Sequence, residues 1–303
     1  MLVIVRVYPM SFLIKSNYFI LLVIGAACIG LAPIFVRLSE LMPSWILFWR
    51  MFLALPFLIL INLLWNKKIF FKIKETSQTL LIAFWGSFAF SLDLILWHYS
   101  IHITSIANAT IIINIAPIFV AMIYFMFFNE KFSIHFFIAL ITTFIGVFGL
   151  IFFSSSYQEG SLYGDLICIL AAMFYAIYLV MISRLGHEQA LTVIFLTTSF
   201  CCFFAFLSGL FENSFVPQAP LNASEWVNML SLAIICQVIG VFLITFSIAR
   251  INASAGSIGL LMQPVTAVLF AAFIFAEYLS LIQIIFALVV FSGIYLARNL
   301  TIN

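Results

Sequence analysis

The sequence predicts an all-α integral membrane protein with ten transmembrane helices, arranged as two inverted five-helix repeats. Three observations carry this. Of 303 residues, 66% are hydrophobic and 7% charged, with a mean hydropathy of +1.29; a soluble domain carries roughly 25% charged residues, so this chain cannot cover a water-facing surface. Ten apolar runs reach the roughly 20 residues needed to cross the hydrocarbon. The chain also overlays itself without a gap at an offset of 147 residues. Arg37-Leu38 falls on Arg184-Leu185, Ser100-Ile101 on Ser247-Ile248, Pro117 on Pro264, Glu130 on Glu277, Ser133 on Ser280 and Gly146 on Gly293. Each repeat holds five spans, an odd number, so the second copy sits upside down relative to the first.

The runs fall at about 18–37, 44–65, 79–101, 106–128, 133–153, 163–183, 191–210, 227–248, 256–276 and 280–298, hereafter spans 1 to 10. The two repeats occupy 16–153 and 160–300. Ahead of span 1 stand Arg6 and Lys15, and Gly25-Ala26-Ala27-Cys28 loosely resembles a lipoprotein cleavage site. The apolar run continues past it to Val36 and contains Pro33, which points to a retained helix rather than a leader. Connections are short except 66–78, 154–162 and 211–226, and none is long enough for a soluble domain.

Charge sets the orientation expected. With the N-terminus in the cytoplasm, Arg6, Lys15, Lys67, Lys68, Lys72, Lys74, Lys131, Arg184, Arg250 and Arg298 lie inside. Only Arg37 and Arg50 lie toward the outside, as do Glu40, Glu159, Asp165, Glu212, Glu225 and Glu277. Basic loops face the cytoplasm, so both termini are expected there, in a plasma membrane and most simply a bacterial inner membrane. Trp45, Trp65 and Trp226 sit at span ends, as interfacial anchors do. The five cysteines, Cys28, Cys168, Cys201, Cys202 and Cys236, all fall in apolar spans with neither zinc-site nor disulfide spacing, and read as small membrane hydrophobes. A formal charge of +2 and no basic run with interleaved aromatics give no sign of a nucleic-acid partner.

Asp93 is the sharpest candidate for chemistry, because an ionisable group deep in a span is expensive and functional by default. At 1.5 Å per residue it lies about 12 Å below the outer boundary, counted from Ile101. Arg50, counted from Ser44, lies about 9 Å below the same boundary. Two opposite charges at similar depth are expected to pair or to face one aqueous cavity. The plainer alternative is an ion pair that only joins spans 2 and 3. Helical spacing puts Gly86, Phe90, Asp93, Trp97 and Ser100 on one face of span 3. Trp97 suits stacking on a planar solute or a cation, or packing; His98, one position round, reads as an interfacial histidine with a proton relay as the alternative.

Asn108, Ile111 and Asn114 share a face of span 4, where buried amides usually bond between helices for about 1 kcal/mol. Gln237, Gly240 and Thr245 occupy span 8, and Gly240 is the repeat counterpart of Asp93, so the acid is not duplicated. Gln263-Pro264 breaks span 9 and leaves carbonyls for neighbours or a solute to satisfy. Tyr175 and Tyr178 on span 6 either line a cavity or pack helices. The candidate solute-binding set is therefore Asp93, Trp97, Arg50, Asn108, Asn114, Gln237, Tyr175, Tyr178 and Gln263. Glu130 and Glu277 end spans 4 and 9 at opposite faces; they read as interfacial charges or caps for the next helix, with Ser133 and Ser280 as its first polar residues, and a gate as the alternative.

The pattern resembles the EamA-type family of the drug/metabolite transporter superfamily over almost the whole chain. The residues that carry the likeness are Gly30-Leu-Ala-Pro33-Ile-Phe-Val-Arg37, Pro43 with Arg50, Leu96-Trp97-His98-Tyr99 and Asn108-Ala-Thr with Pro117 and Glu130. In the second half they are Gly164-Asp165 and Pro264 with Glu277, ending in Gly293-Ile-Tyr-Leu-Ala297. The resemblance implies a basket in which spans 1–4 and 6–9 line a central cavity and spans 5 and 10 are peripheral. It implies transport of a small metabolite, such as export of an amino acid, and says little of which one.

Competing classes lack their residues. An aspartyl membrane protease needs a carboxylate dyad, whereas Asp93 is the central acid; a zinc protease needs H-E-x-x-H; a nucleotide-driven pump needs a P-loop. A passive facilitator or channel and an intramembrane enzyme remain the alternatives. No catalytic residue, metal ligand or cofactor is expected. The expected partners are the lipid bilayer, a small-molecule substrate and protons as a coupling ion. Asp93 with Arg50 and aromatic walls suits a zwitterionic or planar amphipathic solute, such as an amino acid, better than a polyanion such as a nucleotide sugar, and leaves proton antiport and facilitation both open.

Overall fold

A computed structural model describes residues 10–66, 76–103, 112–153, 161–185, 190–212, 215–274 and 280–300. All regular structure among them is helical. In hydrocarbon every backbone N–H and C=O must be satisfied within its own segment, and these apolar runs do so as helices. Eight helices are long and apolar enough to cross a membrane; the shorter apolar helices Ala116–Phe128 and Ile134–Gly149 supply spans 4 and 5. The exterior is apolar, with Leu64 72% and Phe273 86% exposed. Charged and amide side chains such as Arg50, Asp93 and Gln237 are buried, the inverse of a water-soluble surface.

Spans 2, 3, 6, 7 and 10 are single helices, Pro43–Asn66, Thr76–Ile103, Leu162–Arg184, Ala190–Glu212 and Leu281–Leu300. Span 5 is Ile134–Phe152. Three others are interrupted. Span 1 is Met10–Ile29 followed by Ala32–Arg37, span 9 is Ala253–Gly259 followed by Met262–Ile274, and the described part of span 4 resumes as Ala116–Phe128 after a turn at Asn114-Ile115. In each case a proline, Pro33, Pro264 or Pro117, sits in the first turn of the resumed helix, where its missing N–H and fixed φ are tolerated. The breaks tighten into i→i−3 turns: Leu31 N donates to Cys28 O, Ile115 N to Ile112 O, and Leu261 N to Ile258 O. Span 8 takes a different course. It runs Ala223–Ser231, then a π-helical segment Leu232–Val241, then Phe242–Ile248.

The packing obeys a two-fold relation between the repeats. Spans 5 and 10 pack on each other, as do 2 and 7; span 3 packs on 6 as 8 packs on 1, and span 4 on 6 as 9 on 1. It holds at residue level. Gly146 lies against Val290, and its counterpart Gly293 lies against Thr143, the counterpart of Val290. The five-helix units are thus inverted copies related by a pseudo-two-fold axis. Spans 5 and 10 share an apolar cluster, Phe136, Ala139 and Val147 against Val290, Ile294 and Ala297, which Phe19 of span 1 and Ile258, Leu261 and Val265 of span 9 join. The main core lies where spans 1, 2, 3, 6, 7 and 8 meet, around Leu22, Met51, Phe90, Leu179, Cys201 and Ile244.

Two local expectations change. Trp45 is not an interfacial anchor: it is 1% exposed and stands edge-on to Phe48 and Phe206 inside the bundle. His98 is likewise buried at 3%, its ring against Trp97. The next helices are capped by Ser133 and Ser280 themselves, which accept from Phe136 N and Gln283 N, and not by Glu130, whose carboxylate bonds to Asn252 and Ser254 instead. Glu277 and Trp65's side chain lie outside the described residues.

Candidate functional site

A cavity of about 90 Å³ lies where the interrupted spans converge. One water needs roughly 10–15 Å³ of such volume, so the space suits several waters or the core of a small solute. Its wall takes Gly30, Ala32 and Pro33 from the break in span 1, Ile113 and Asn114 from the break in span 4, and Gln263 and Pro264 from span 9. Proline has no N–H, so the carbonyls four residues earlier, Ile29, Ile113 and Leu260, lose their usual helical donor; Gln263 N takes the one at Leu260 at 3.0 Å. Gly30 permits the convergence. A Cβ there would come within 2.5 Å of the Gln263 carbonyl and 2.7 Å of Thr266 Cβ, so only glycine lets the two breaks touch.

The cavity lies on the pseudo-two-fold axis. Leu94 and Trp97 of span 3 line it, and so do their repeat counterparts Val241 and Ile244 of span 8. The chemistry is not symmetric. Asp93 lines the cavity while its counterpart Gly240 packs on Gly25 of span 1.

Of the sequence candidates, Asp93, Trp97, Arg50, Asn114, Tyr175, Tyr178 and Gln263 all line this cavity. Asp93 and Arg50 are each 3% exposed and near enough for their charges to act on one another; among the described residues no direct salt bridge joins them. Arg50 Nε instead donates to Gln237 Oε1 at 3.2 Å, and Gln237 Nε2 donates to Thr198 Oγ1 at 3.0 Å. Gln237 is not among the lining residues and reaches the cavity through Arg50. Gln263 Nε2 donates to the Tyr175 hydroxyl at 3.4 Å. Tyr178 stacks on Phe90 with centroids 4.3 Å apart and planes 14° from parallel. The Trp97 Nε1–H and the Tyr178 hydroxyl are buried and make no well-aligned hydrogen bond among the described residues. Asn108 lies outside the described residues.

Polar clasps between the repeats flank the cavity at both ends. At the end predicted to face outward, Glu225, 4% exposed, accepts from Ser39 Oγ and Glu40 N at 3.0 Å each and from Leu221 N at 3.3 Å. Gln218 Oε1 accepts from Met42 N, and Trp49 Nε1 donates to the Gln218 carbonyl. At the other end Glu130 accepts from Asn252 Nδ2 at 2.7 Å and from Ser254 Oγ at 3.3 Å. Asn129, left-handed at φ 53°, ends span 4 and turns Glu130 toward span 9. Sequence reasoning did not single out Glu225; the available signal was the spacing Asn222-x-x-Glu225, a capping box. Asn222 does cap Glu225 N at 2.8 Å, but the glutamate reaches on to the other repeat.

Comparison with known proteins follows this geometry. The EamA-like transporter family matches twice, over residues 16–152 and 162–298. The uncharacterized transporter YetK of Bacillus subtilis (strain 168) is 24% identical over 226 residues, which is 73% of this chain and 68% of that protein. A solved crystal structure covering 94% of this chain and 98% of its own superposes with a TM-score of 0.76 at 15% identity, which bears on the fold alone. Two inverted five-helix units that each match one family, closing at broken helices on a largely apolar cavity that holds one acid and one guanidinium, place this membrane protein in the EamA-like transporter family.

Proposed function

We propose that this transporter carries a small zwitterionic metabolite, an amino acid being the simplest case, by exposing the cavity alternately to the two faces of the membrane. The observation that carries the reading is the burial of one carboxylate and one guanidinium, Asp93 and Arg50, in a single small cavity without a salt bridge between them. Isolated in hydrocarbon, each would cost at least about 2.5–3.5 kcal/mol. Both are better accounted for by a solute with a charge of each sign. The resumed helices of spans 4 and 9 begin beside the cavity, and their N-terminal dipoles favour an anionic group; broken helices of this kind are where secondary transporters bind solutes. Clasps at both ends supply the contacts that would break in turn. Protons are the proposed coupling ion, through Asp93. The distribution of Lys and Arg supports an orientation with both termini cytoplasmic, in a membrane such as a bacterial inner membrane; export is the direction that the resemblance to metabolite exporters suggests.

The test is uptake of a panel of labelled amino acids into proteoliposomes, with a nucleotide sugar as a polyanionic control. Saturable flux of at least one amino acid and none of the control is expected. Saturable flux of the polyanion alone would overturn the zwitterion reading and leave the family assignment standing.

A further inference from the structure

Span 8 is α-helical at both ends and π-helical between Leu232 and Val241. Such segments are rare and recur at functional positions. Here the segment is wedged against spans 1 and 2. On one side Gly240 meets Gly25, where a Cβ on Gly25 would stand 2.8 Å from the Gly240 carbonyl. On the other, Gln237, 1% exposed, reaches Arg50.

The Gln237 amide is engaged at both ends, by Arg50 and by Thr198, itself fully buried. Its orientation follows from chemistry. A guanidinium can only donate, so the amide oxygen must face Arg50 and the NH₂ must find an acceptor, which Thr198 Oγ1 provides. An amide is neutral. It fixes the guanidinium at Nε and leaves its charge uncancelled, as a carboxylate at this position would not. Arg50 belongs to the first repeat, Gln237 and Thr198 to the second, so the contact exists only where the two halves meet beside the cavity.

We infer that Gln237 is a positioning residue, presented by the π-helical segment of span 8, which holds Arg50 toward the cavity as the receptor for the carboxylate end of the solute. The inference rests on the reading of the cavity as the solute site; Asp93 then faces the cationic end. The planar guanidinium fork suits a carboxylate, provided its plane is held.

The experiment compares full-length wild type, Gln237→Leu and Gln237→Glu in proteoliposomes. KM and Vmax are measured for the labelled amino acid that wild type moves best and for the same compound as its carboxamide, which lacks the anionic oxygen. Gln237→Leu frees the guanidinium and Gln237→Glu cancels its charge. Both are expected to raise KM for the acid about tenfold, with the carboxamide changed less than about twofold. Equal effects on both compounds, or none, would overturn the inference. If wild type moves no amino acid, the cargo reading fails, and the inference is decided by a second measurement. The rate of phenylglyoxal modification at Arg50 is followed by peptide mapping in detergent. A change of about threefold or more in Gln237→Leu, with Arg184 and Arg250 unaffected, supports positioning; an unchanged Arg50 rate overturns it.

Discussion

Glu130, at the end of span 4, accepts a 2.7 Å hydrogen bond from Asn252 Nδ2, at the start of span 9, and so joins the two repeats beside the end of the bundle that Glu225 does not reach. The partners are partly solvated, so the contact is worth about 1 kcal/mol. That suits a clasp that must open repeatedly.

Glu130→Ala is expected to shift the bundle toward opening at this end by about fivefold. The check is the labelling rate of a cysteine placed at Ala267 in the cavity wall, using an impermeant thiol reagent applied from each side of the membrane in a background without the native cysteines. Faster labelling from the Glu130 side is predicted. Glu130→Gln keeps an acceptor and should have a smaller effect.

The Glu225 clasp is buried and makes three bonds, so its loss should act on stability. Glu225→Ala strands the Glu40 and Leu221 N–H groups and the Ser39 hydroxyl, for about 2–3 kcal/mol. Ser39→Ala removes one of these partners and also the acceptor of Leu41 N, and should cost about 1–2 kcal/mol. Thermal unfolding in detergent would rank them in that order.

Two glycines separate packing from propensity. Gly30→Ala forces a Cβ onto the Gln263 carbonyl where the breaks of spans 1 and 9 touch, and is expected to destabilise by about 1–3 kcal/mol. Gly86→Ala meets nothing nearer than Met181 Cβ at 3.4 Å, an ordinary contact. There the helix propensity gain of about 0.5–1 kcal/mol should make the variant neutral or more stable. The comparison is again of melting temperatures.

Tyr178→Phe removes a buried hydroxyl that makes no well-aligned hydrogen bond among the described residues, although Thr245 lies close by. In the absence of solute the change should be neutral or stabilising by about 1 kcal/mol, because an unmet polar group is costly to bury. If the hydroxyl meets the solute, KM rises in the same variant. A melting curve and a flux measurement on one preparation read the two effects separately.

Much of the fold was legible because membranes allow few alternatives. Apolar runs of spanning length must be helices, and the constant spacing of Pro117 from Pro264 and of Gly146 from Gly293 exposed the repeat. The prolines also marked where spans 4 and 9 break, although span 9 turns at Leu260-Leu261, just ahead of the Gln263-Pro264 pair. Asp93 and Arg50 stood out because charge is scarce in such a chain. The role of Gln237 was not legible. Helical periodicity assumes 3.6 residues per turn, and the π-helical register that carries Gln237 to Arg50 leaves no mark in composition. Trp45 and His98 were misplaced for a related reason: distance along a span gives depth, not the side of the helix that neighbours cover. Glu225 looked like an ordinary surface acid because its partners, Ser39 and Glu40, lie far away in sequence.

The most direct test of the account is flux of the transported amino acid into proteoliposomes, with and without an imposed pH gradient, for wild type and Asp93→Asn. The account predicts gradient-driven flux in wild type and flux that no longer responds to the gradient in Asp93→Asn. Saturable flux in both proteins, with the same response to the gradient, would contradict it and reduce Asp93 to a structural residue.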